Sequence, residues 1–312
     1  MPLGQKHARC WPPGWREVVG TNVTIKNTDF IYVCDMVRKH SAIVLDSGKE
    51  YLVESRLNPL ARQEGFSSLQ HMVDCLRSTP SGDLHRKVVE AMTTNETSFF
   101  REMKMFDMFR KTILPKLLAQ RARERSLTLW CAASSTGQEP YSFAMLLREH
   151  LPALDGWNIT FIASDISRDM LARAREGRFN QLEVNRGLPA HLLVKYFTKQ
   201  GATWEISPEI RRMVEFREIN LIQAWPFLPR LDFISMRNVL IYLDFETKKS
   251  ILSRIPSVLD TEGYLVLGGA ETTTNIDDGF EAVPLDGATC FRLRKRFPSA
   301  ARAGVPIVGQ VY

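Results

Sequence analysis

From Leu127 onward, short β-rich runs alternate with amphipathic helical stretches, the pattern of a parallel sheet whose crossovers are helices. The strand candidates are LTLWCAA (127–133), ITFIAS (159–164), MVEFREI (213–219), LDFISM (231–236), GYLVLGG (263–269) and ATCFRLR (288–294). Helical patterns at 142–150, 168–176 and 246–259 lie between them. This predicts a doubly wound α/β domain over 127–294. One spacing is out of line, because a crossover needs a single helix and the stretch between Asp165 and Met213 is far longer. An inserted β-subdomain is expected at 178–212, with a strand near 178–182, a helix at 190–197 and a strand at 203–207.

The first third of the chain reads differently. Phe30, Val33, Cys34 and Val37 fall on one helix face, and Leu69, Met72, Val73 and Leu76 repeat the spacing, as do Leu84, Val88, Val89 and Met92. No strand signal interrupts them, so 25–92 is expected to be a small all-α domain, joined by a linker and helix at 93–126. Residues 1–24, rich in Pro and Gly, and the basic 295–312 read as disordered tails. The net charge of +6 is concentrated at the two ends: Lys6, Arg9 and Arg16 against Glu17, then Arg292, Arg294, Lys295, Arg296 and Arg302 without an acid. The body is left near −1, which argues against a nucleic-acid-binding surface. No apolar run approaches the roughly 20 residues that cross a bilayer, so no membrane insertion and a cytoplasmic location are expected. The five cysteines form no CxxC pair and have no histidine cluster near them, so no metal is expected.

The chemistry-bearing residues sit at the ends of the predicted strands, where an open α/β sheet binds its ligand. The first strand runs into Ala133-Ser134-Ser135-Thr136-Gly137-Gln138-Glu139-Pro140, whose small side chains allow close approach of a ligand and whose proline suits a first helical turn. With one glycine it is a poor dinucleotide fingerprint, and a plain strand-to-helix turn reads equally well. The second strand ends at Asp165, a position that suits a ribose hydroxyl or, alternatively, a helix N-cap. The fourth delivers Arg237, Asn238 and then Tyr242. Upstream, Thr93-Thr94-Asn95-Glu96-Thr97-Ser98-Phe99-Phe100-Arg101 is a polar cluster closed by two aromatics and an arginine, which by itself reads as a helix cap and hydrophobic staple.

Taken together, TTNETSFFR (93–101), WCAASSTGQEPYS (130–142), IASDIS (162–167), EINL (218–221) and MRNVLIYLD (236–244) closely resemble the glutamate O-methyltransferases of chemotaxis receptors, over roughly residues 28–292. The resemblance implies a Rossmann-like class I methyltransferase sheet with an inserted small β-subdomain and an all-α N-terminal domain that contacts the receptor. It places S-adenosyl-L-methionine contacts on Asn95, Thr97, Arg101, Glu139, Asp165, Asn220, Leu221, Arg237 and Asn238. Arg101 and Tyr242 match the pair suspected of acting near the transferred methyl, and Arg56 and Arg62 match basic positions that would meet the methylation helices of a chemoreceptor. A monomer is implied.

The implied reaction is consistent with what the sequence lacks. An ordinary glutamate, with a pKa of about 4.3, is ionised at neutral pH and needs no general base. None of the six histidines falls in a motif. Alignment and desolvation, with Arg101 and Tyr242 orienting the carboxylate, would then carry catalysis. Two other readings remain: a methyltransferase of this fold with another substrate, and a cofactor-binding signalling module without catalysis. Against nucleic-acid amines, Arg237-Asn238-Val239 stands where an Asn/Asp-Pro-Pro-aromatic turn would be expected. Three departures from the family pattern stand out: Gly268-Gly269-Ala270-Glu271, Gln138 where an acid is frequent, and Pro59, for which Asn58 is expected to cap a new helix. Members that dock on a C-terminal receptor pentapeptide have a longer, glycine-containing loop after the Tyr-Phe helix end. Here only Thr198-Lys199-Gln200-Gly201 follows Tyr196-Phe197, so no requirement for the tethering peptide is expected.

Overall fold

The computed structural model describes residues 25–150 and 154–294. The predicted tails, 1–24 and 295–312, lie outside the described residues.

Four helices, α1 (Asn27–Ser41), α2 (Glu50–Gln63), α3 (Leu69–Ser78) and α4 (Asp83–Met92), form the N-terminal unit. Their apolar stripes meet in a core where Val33, Val37, Val53, Leu57, Met72, Val73 and Val88 are fully buried. The expected restart at Asn58 does not occur. Helix α2 continues through Pro59, because Leu57 and Ala61, one turn apart, are both held in the core while Pro59 faces solvent.

The sheet has seven strands in the order β6-β2-β1-β7-β8-β10-β9. These are β1 (Ser126–Ala132), β2 (Asn158–Asp165), β6 (Glu215–Glu218), β7 (Leu231–Met236), β8 (Leu259–Leu267), β9 (Phe280–Leu285) and β10 (Ala288–Leu293). The pairs β2/β6, β1/β2, β1/β7 and β7/β8 are parallel, and β10 runs antiparallel to β8 and β9. The chain moves outward from β1 through β2 to β6, then returns to place β7 on the other side of β1. The order therefore reverses at β1, and the carboxyl ends of β1, β2, β6 and β7 open a crevice there. Strand β9 was not expected from the sequence. Pro284 and a largely exposed face mark it as an edge strand, and Asp286 (φ 47°) and Gly287 (φ 77°) turn it into β10 as a two-residue hairpin.

Between β2 and β6 lies the inserted subdomain, an antiparallel sheet in the order β3-β5-β4, formed by β3 (Arg178–Asn180), β4 (Phe197–Gln200) and β5 (Thr203–Ile206). Strand β4 corrects the sequence reading, which made Phe197 the end of a helix and 198–201 a loop. The helix Ala190–Tyr196 stops one residue earlier. Phe197 turns into the core, where its ring meets Phe99 edge-on at 5.7 Å, and Lys199 lies 5.7 Å from the Trp204 ring across the strands. The subdomain is seated on the linker by Gly187 (φ +88°): a Cβ there would stand 2.1 Å from the Phe99 carbonyl oxygen, so only glycine fits.

Candidate active site

The loops at the reversal point line an open cleft. Its first wall is the turn after β1. Ala133 (φ 54°) and Ser135 (φ 48°) take left-handed conformations that alanine and serine rarely adopt. A cluster of such residues is held only where surrounding contacts over-determine it. Here the contacts are Ser135 N–H to Asp165 Oδ2 (2.8 Å) and Ser135 Oγ to the Asn95 carbonyl (3.0 Å).

Asp165, at the tip of β2, is 6 % exposed and also accepts from Ser167 N–H at 2.9 Å. Desolvation raises its carboxyl pKa above the ordinary value, against the lowering effect of the Ser167, Ser135 and Ile166 amides. Ser167, not Asp165, caps the following helix by accepting from Met170 N–H. The N-cap alternative for Asp165 is thereby replaced by a carboxylate that braces two loops and faces the cleft.

Arg237, at the end of β7, has a fully buried side chain held between two carboxylates. Nη1 donates to Glu139 Oε2 at 2.5 Å, and Nη2 donates to the Arg101 carbonyl (2.7 Å) and lies 3.2 Å from Glu102 Oε2. Burial acts to lower its pKa, and Glu139 and Glu102 outweigh that effect. Glu139 also accepts from Ser235 Oγ at 2.7 Å and Cys131 Sγ at 3.2 Å. Phe106 packs beneath the guanidinium, 5.7 Å from ring centre to Cζ. Arg237 Nε is buried with no partner among the described residues, a free donor beside the cleft that this residue lines.

All ten residues expected at the cofactor or the methyl acceptor, Asn95, Thr97, Arg101, Glu139, Asp165, Asn220, Leu221, Arg237, Asn238 and Tyr242, line this one cleft. Arg101 donates to the Glu96 carbonyl at 3.0 Å. Ile166, Ile219, Leu221 and Ile222 give the cleft an apolar shelf beside Asp165, a combination that fits a nucleoside: a flat base against aliphatic side chains and a sugar hydroxyl at a carboxylate. Among the described residues no group of three or more His, Cys, Asp or Glu side chains has the geometry to hold a metal ion.

The helical unit forms part of the wall. Ser41 and Ile43 line the cleft, and Asn220 Nδ2 donates to the His40 carbonyl at 2.8 Å. Ile43 and Leu243 form an isolated antiparallel bridge, with Val44 N–H donating to the Tyr242 carbonyl at 3.0 Å.

Arg56, expected at the receptor, bonds within the protein. Its Nη1 donates to the carbonyls of Met92 (2.7 Å) and Thr93 (2.8 Å), and its Nη2 reaches Thr94 Oγ1 at 3.3 Å. Burial lowers its pKa, and Tyr242 lies close enough to oppose the shift. It clamps the end of α4 onto the linker that supplies Asn95 and Thr97. Arg62, by contrast, is exposed.

Two positioning residues escaped the sequence reading. Glu102 (φ 61°) receives Gly269 N–H at 3.1 Å besides facing Arg237. Glu271 accepts from Asn238 N–H and Gly268 N–H, both at 2.7 Å, and from Ile241 N–H at 3.2 Å, fixing the loop that carries Asn238 and Tyr242. Gly268 is required there, since a Cβ would lie 2.6 Å from Asn238 Nδ2. The departure at 269–270 therefore leaves the two essential ends of that loop, Gly268 and Glu271, in place.

Comparison with known proteins agrees with this geometry. Residues 28–93 match the family model described as CheR methyltransferase, all-alpha domain, and residues 95–288 match CheR methyltransferase, SAM binding domain. The chain is 39 % identical over 273 residues to chemotaxis protein methyltransferase 1 of Pseudomonas aeruginosa, covering 86 % of this chain and 98 % of that one. It is 38 % identical over 262 residues to chemotaxis protein methyltransferase Cher2 of Pseudomonas putida, covering 82 % and 94 % respectively. A Borreliella burgdorferi chemotaxis protein methyltransferase is 31 % identical, with coverages of 80 % and 90 %. A four-helix unit, a sheet that reverses at β1 and a cleft lined by all five motifs thus coincide with matches along nearly the whole described chain, and the protein belongs to the CheR methyltransferase family.

Proposed function

We propose that this methyltransferase esterifies glutamate side chains on a chemoreceptor, with S-adenosyl-L-methionine as methyl donor and Arg101 and Tyr242 as the residues that orient the acceptor. The observation that carries this reading is the convergence of ten residues from five separate sequence segments on one cleft. Bound there, the cofactor supplies an electrophilic methyl group on a sulfonium.

The protein's part is binding and alignment. Asp165 is suited to accept from ribose hydroxyls, and the aliphatic shelf at Ile166, Ile219 and Leu221 to cover the base. Glu139 and Glu102 neutralise Arg237 and leave that corner net negative, which favours a cationic ligand. The acceptor carboxylate arrives ionised, so no residue has to remove a proton from it. Arg101 and the Tyr242 hydroxyl would donate hydrogen bonds to the acceptor oxygen that does not attack, holding the other in line with the methyl group.

The test is transfer of labelled methyl to a chemoreceptor cytoplasmic fragment, with base-labile methanol release identifying an ester. Arg101→Ala and Tyr242→Phe are expected to lower turnover by about 10²-fold or more, with cofactor affinity changed far less. Methyl label that survives base would assign a different acceptor.

A further inference from the structure

A second groove adjoins the cofactor cleft and is not used by the chemistry above. It shares Asn95, Glu96 and Thr97 with the cleft and continues between the helix Arg168–Glu176 and the inserted subdomain, where Met170, Arg173, Asn180, Leu182, Glu183 and Arg186 line it. Its floor is Thr136 and Gln138.

Three features of the groove point to an acidic, amphipathic occupant. First, Arg173 and Arg186 are held only by exposed ion pairs. Arg173 faces Glu183 at 3.0 Å with 51 % of its side chain exposed, and Arg186 faces Glu96 with 58 % and 57 % of the two side chains exposed. Such exposed pairs are weak, so an incoming carboxylate can replace either partner at little cost. Second, Leu182 is 80 % exposed at the groove, offering an apolar contact beside the two guanidiniums. Third, Gln138 on the floor is 2 % exposed and its Oε1 accepts from Thr136 Oγ1 at 2.7 Å, so the floor is neutral.

The distribution of charge supports this placement. Residues 168–212 hold nine Lys and Arg against five Asp and Glu, a net +4, whereas residues 27–92 hold eight against nine.

We infer that the Arg173/Arg186 groove receives the acidic, amphipathic segment that flanks the acceptor glutamate, and that these two arginines contribute to affinity for the substrate chain. This rests on the glutamate reading given under the proposed function. Glu96 and Glu183 occupy the guanidiniums until the substrate's carboxylates displace them, and Leu182 covers the apolar face of the arriving helix. Because the groove opens into the cleft at Asn95–Thr97, a segment seated in it carries its next acceptor toward Arg101.

The experiment is a kinetic comparison using a chemoreceptor cytoplasmic fragment as acceptor and adenosylhomocysteine titration as an independent measure of the cofactor site. The double variant Arg173→Glu/Arg186→Glu is expected to raise KM for the fragment about tenfold and to flatten its salt dependence, with adenosylhomocysteine affinity retained. Glu183→Gln keeps an oxygen for the Asn180 N–H bond at 2.8 Å yet releases Arg173, and is expected to lower KM, an outcome that a merely structural role for the pair does not produce. An unchanged KM in the double variant, while the wild type forms base-labile ester, overturns the groove and leaves the reaction standing. A loss confined to adenosylhomocysteine affinity overturns it equally. A wild type that forms no ester on the fragment removes the glutamate reading and this inference with it.

Discussion

The helical unit and the inserted subdomain both border the cleft, but they are attached by different means. The helical unit is tied by directional polar contacts: Asn220 to the His40 carbonyl, Val44 N–H to the Tyr242 carbonyl, Arg38 to Asp244 at 2.9 Å, and Arg56 to the carbonyls that lead into the linker. Glu90, buried in α4, accepts from Arg168 N–H at 3.3 Å and lies within 3.4 Å of Ser167 Oγ, directly behind Asp165. The subdomain is seated mainly by aromatic packing, Phe179 and Phe197 around Phe99, and by the close approach at Gly187, with Glu149 accepting from Lys195 Nζ at 2.8 Å and from the Tyr196 hydroxyl at 2.5 Å. Its charged groups near the cleft are left in exposed pairs. Orientation-dependent bonds fix the geometry of a wall, while non-directional packing holds a body in place and leaves its surface charges free to meet a partner. On the reading proposed above the first region would serve the cofactor and the second the substrate, a division that substitution tests.

The largest effect is expected at Asp165, where the two regions meet. Asp165→Ala removes the ribose acceptor and strips the partners from two amides, Ser135 N–H and Ser167 N–H. Adenosylhomocysteine affinity should fall ten- to a hundredfold by calorimetric titration, since a charge-assisted hydrogen bond contributes about 1.5–3 kcal/mol. The melting temperature should fall as well, because the carboxylate braces the β1 and β2 loops. An unchanged affinity would remove Asp165 from the cofactor site. The same carboxyl carries a pH signature. Its pKa is raised by desolvation, so it takes up a proton at higher pH than a free aspartate, and cofactor affinity should decline as pH falls through that raised value. The unliganded fold moves the other way. This group's contribution to stability is fully present below the unfolded-state pKa and is lost as pH rises through the folded-state one.

A smaller effect, and one that divides the regions, is expected from Arg56→Ala. The resemblance made Arg56 a receptor contact; the structure makes it a clamp on Met92, Thr93 and Thr94. Loss of charged hydrogen bonds to half-buried carbonyls costs about 1.5–3 kcal/mol, so the melting temperature should drop by several degrees and adenosylhomocysteine affinity several-fold, before any acceptor is added. A variant that keeps both properties and loses only affinity for the receptor fragment would return Arg56 to the substrate.

These assignments show which features sequence can reveal. Asp165, Arg237 and Asn238 were legible because they stand at strand ends, which a parallel sheet brings together whatever the intervening chain does, whereas Asn95, Thr97 and Arg101 lie in the linker and were legible through the family resemblance. The hydrogen bonds of Arg56 could not be read from the sequence because its acceptors stand 36 to 38 residues away and are two backbone carbonyls and a threonine hydroxyl, groups that any sequence supplies. Glu102 and Glu271 were missed for a related reason: both accept from backbone amides distant in sequence, Glu102 facing Arg237 besides, and an acid in a loop reads as solvated until the loop is closed. Strand β9 is a different case. Asp286-Gly287 between two β-prone runs is a hairpin signal that the sequence does carry. Pro284 obscures that signal, since a proline suits an edge strand and not a central one.

The smallest effect is expected at Arg62, and it bears most directly on how the substrate is found. Arg62 is exposed on α2, and truncation of a side chain in such a setting usually changes free energy by no more than about 0.5 kcal/mol. If the helical unit serves the cofactor, Arg62→Ala should shift KM for the receptor fragment less than about twofold, well below the change expected when two cations at a binding surface are reversed. The tethering peptide belongs to the same test. Strand β4 pairs only with β5 and leaves one edge open, so backbone hydrogen bonding alone would permit a peptide to add there. The connection from β4 to β5 is nevertheless only Gly201 and Ala202, with no loop to enclose an added strand. Titration with the isolated receptor pentapeptide is therefore expected to show no micromolar binding, and a fragment lacking the pentapeptide should be methylated with the same KM. Micromolar binding by the pentapeptide, or a KM raised tenfold by Arg62→Ala, would move substrate capture away from the groove and back to one of the surfaces on which the family resemblance first placed it.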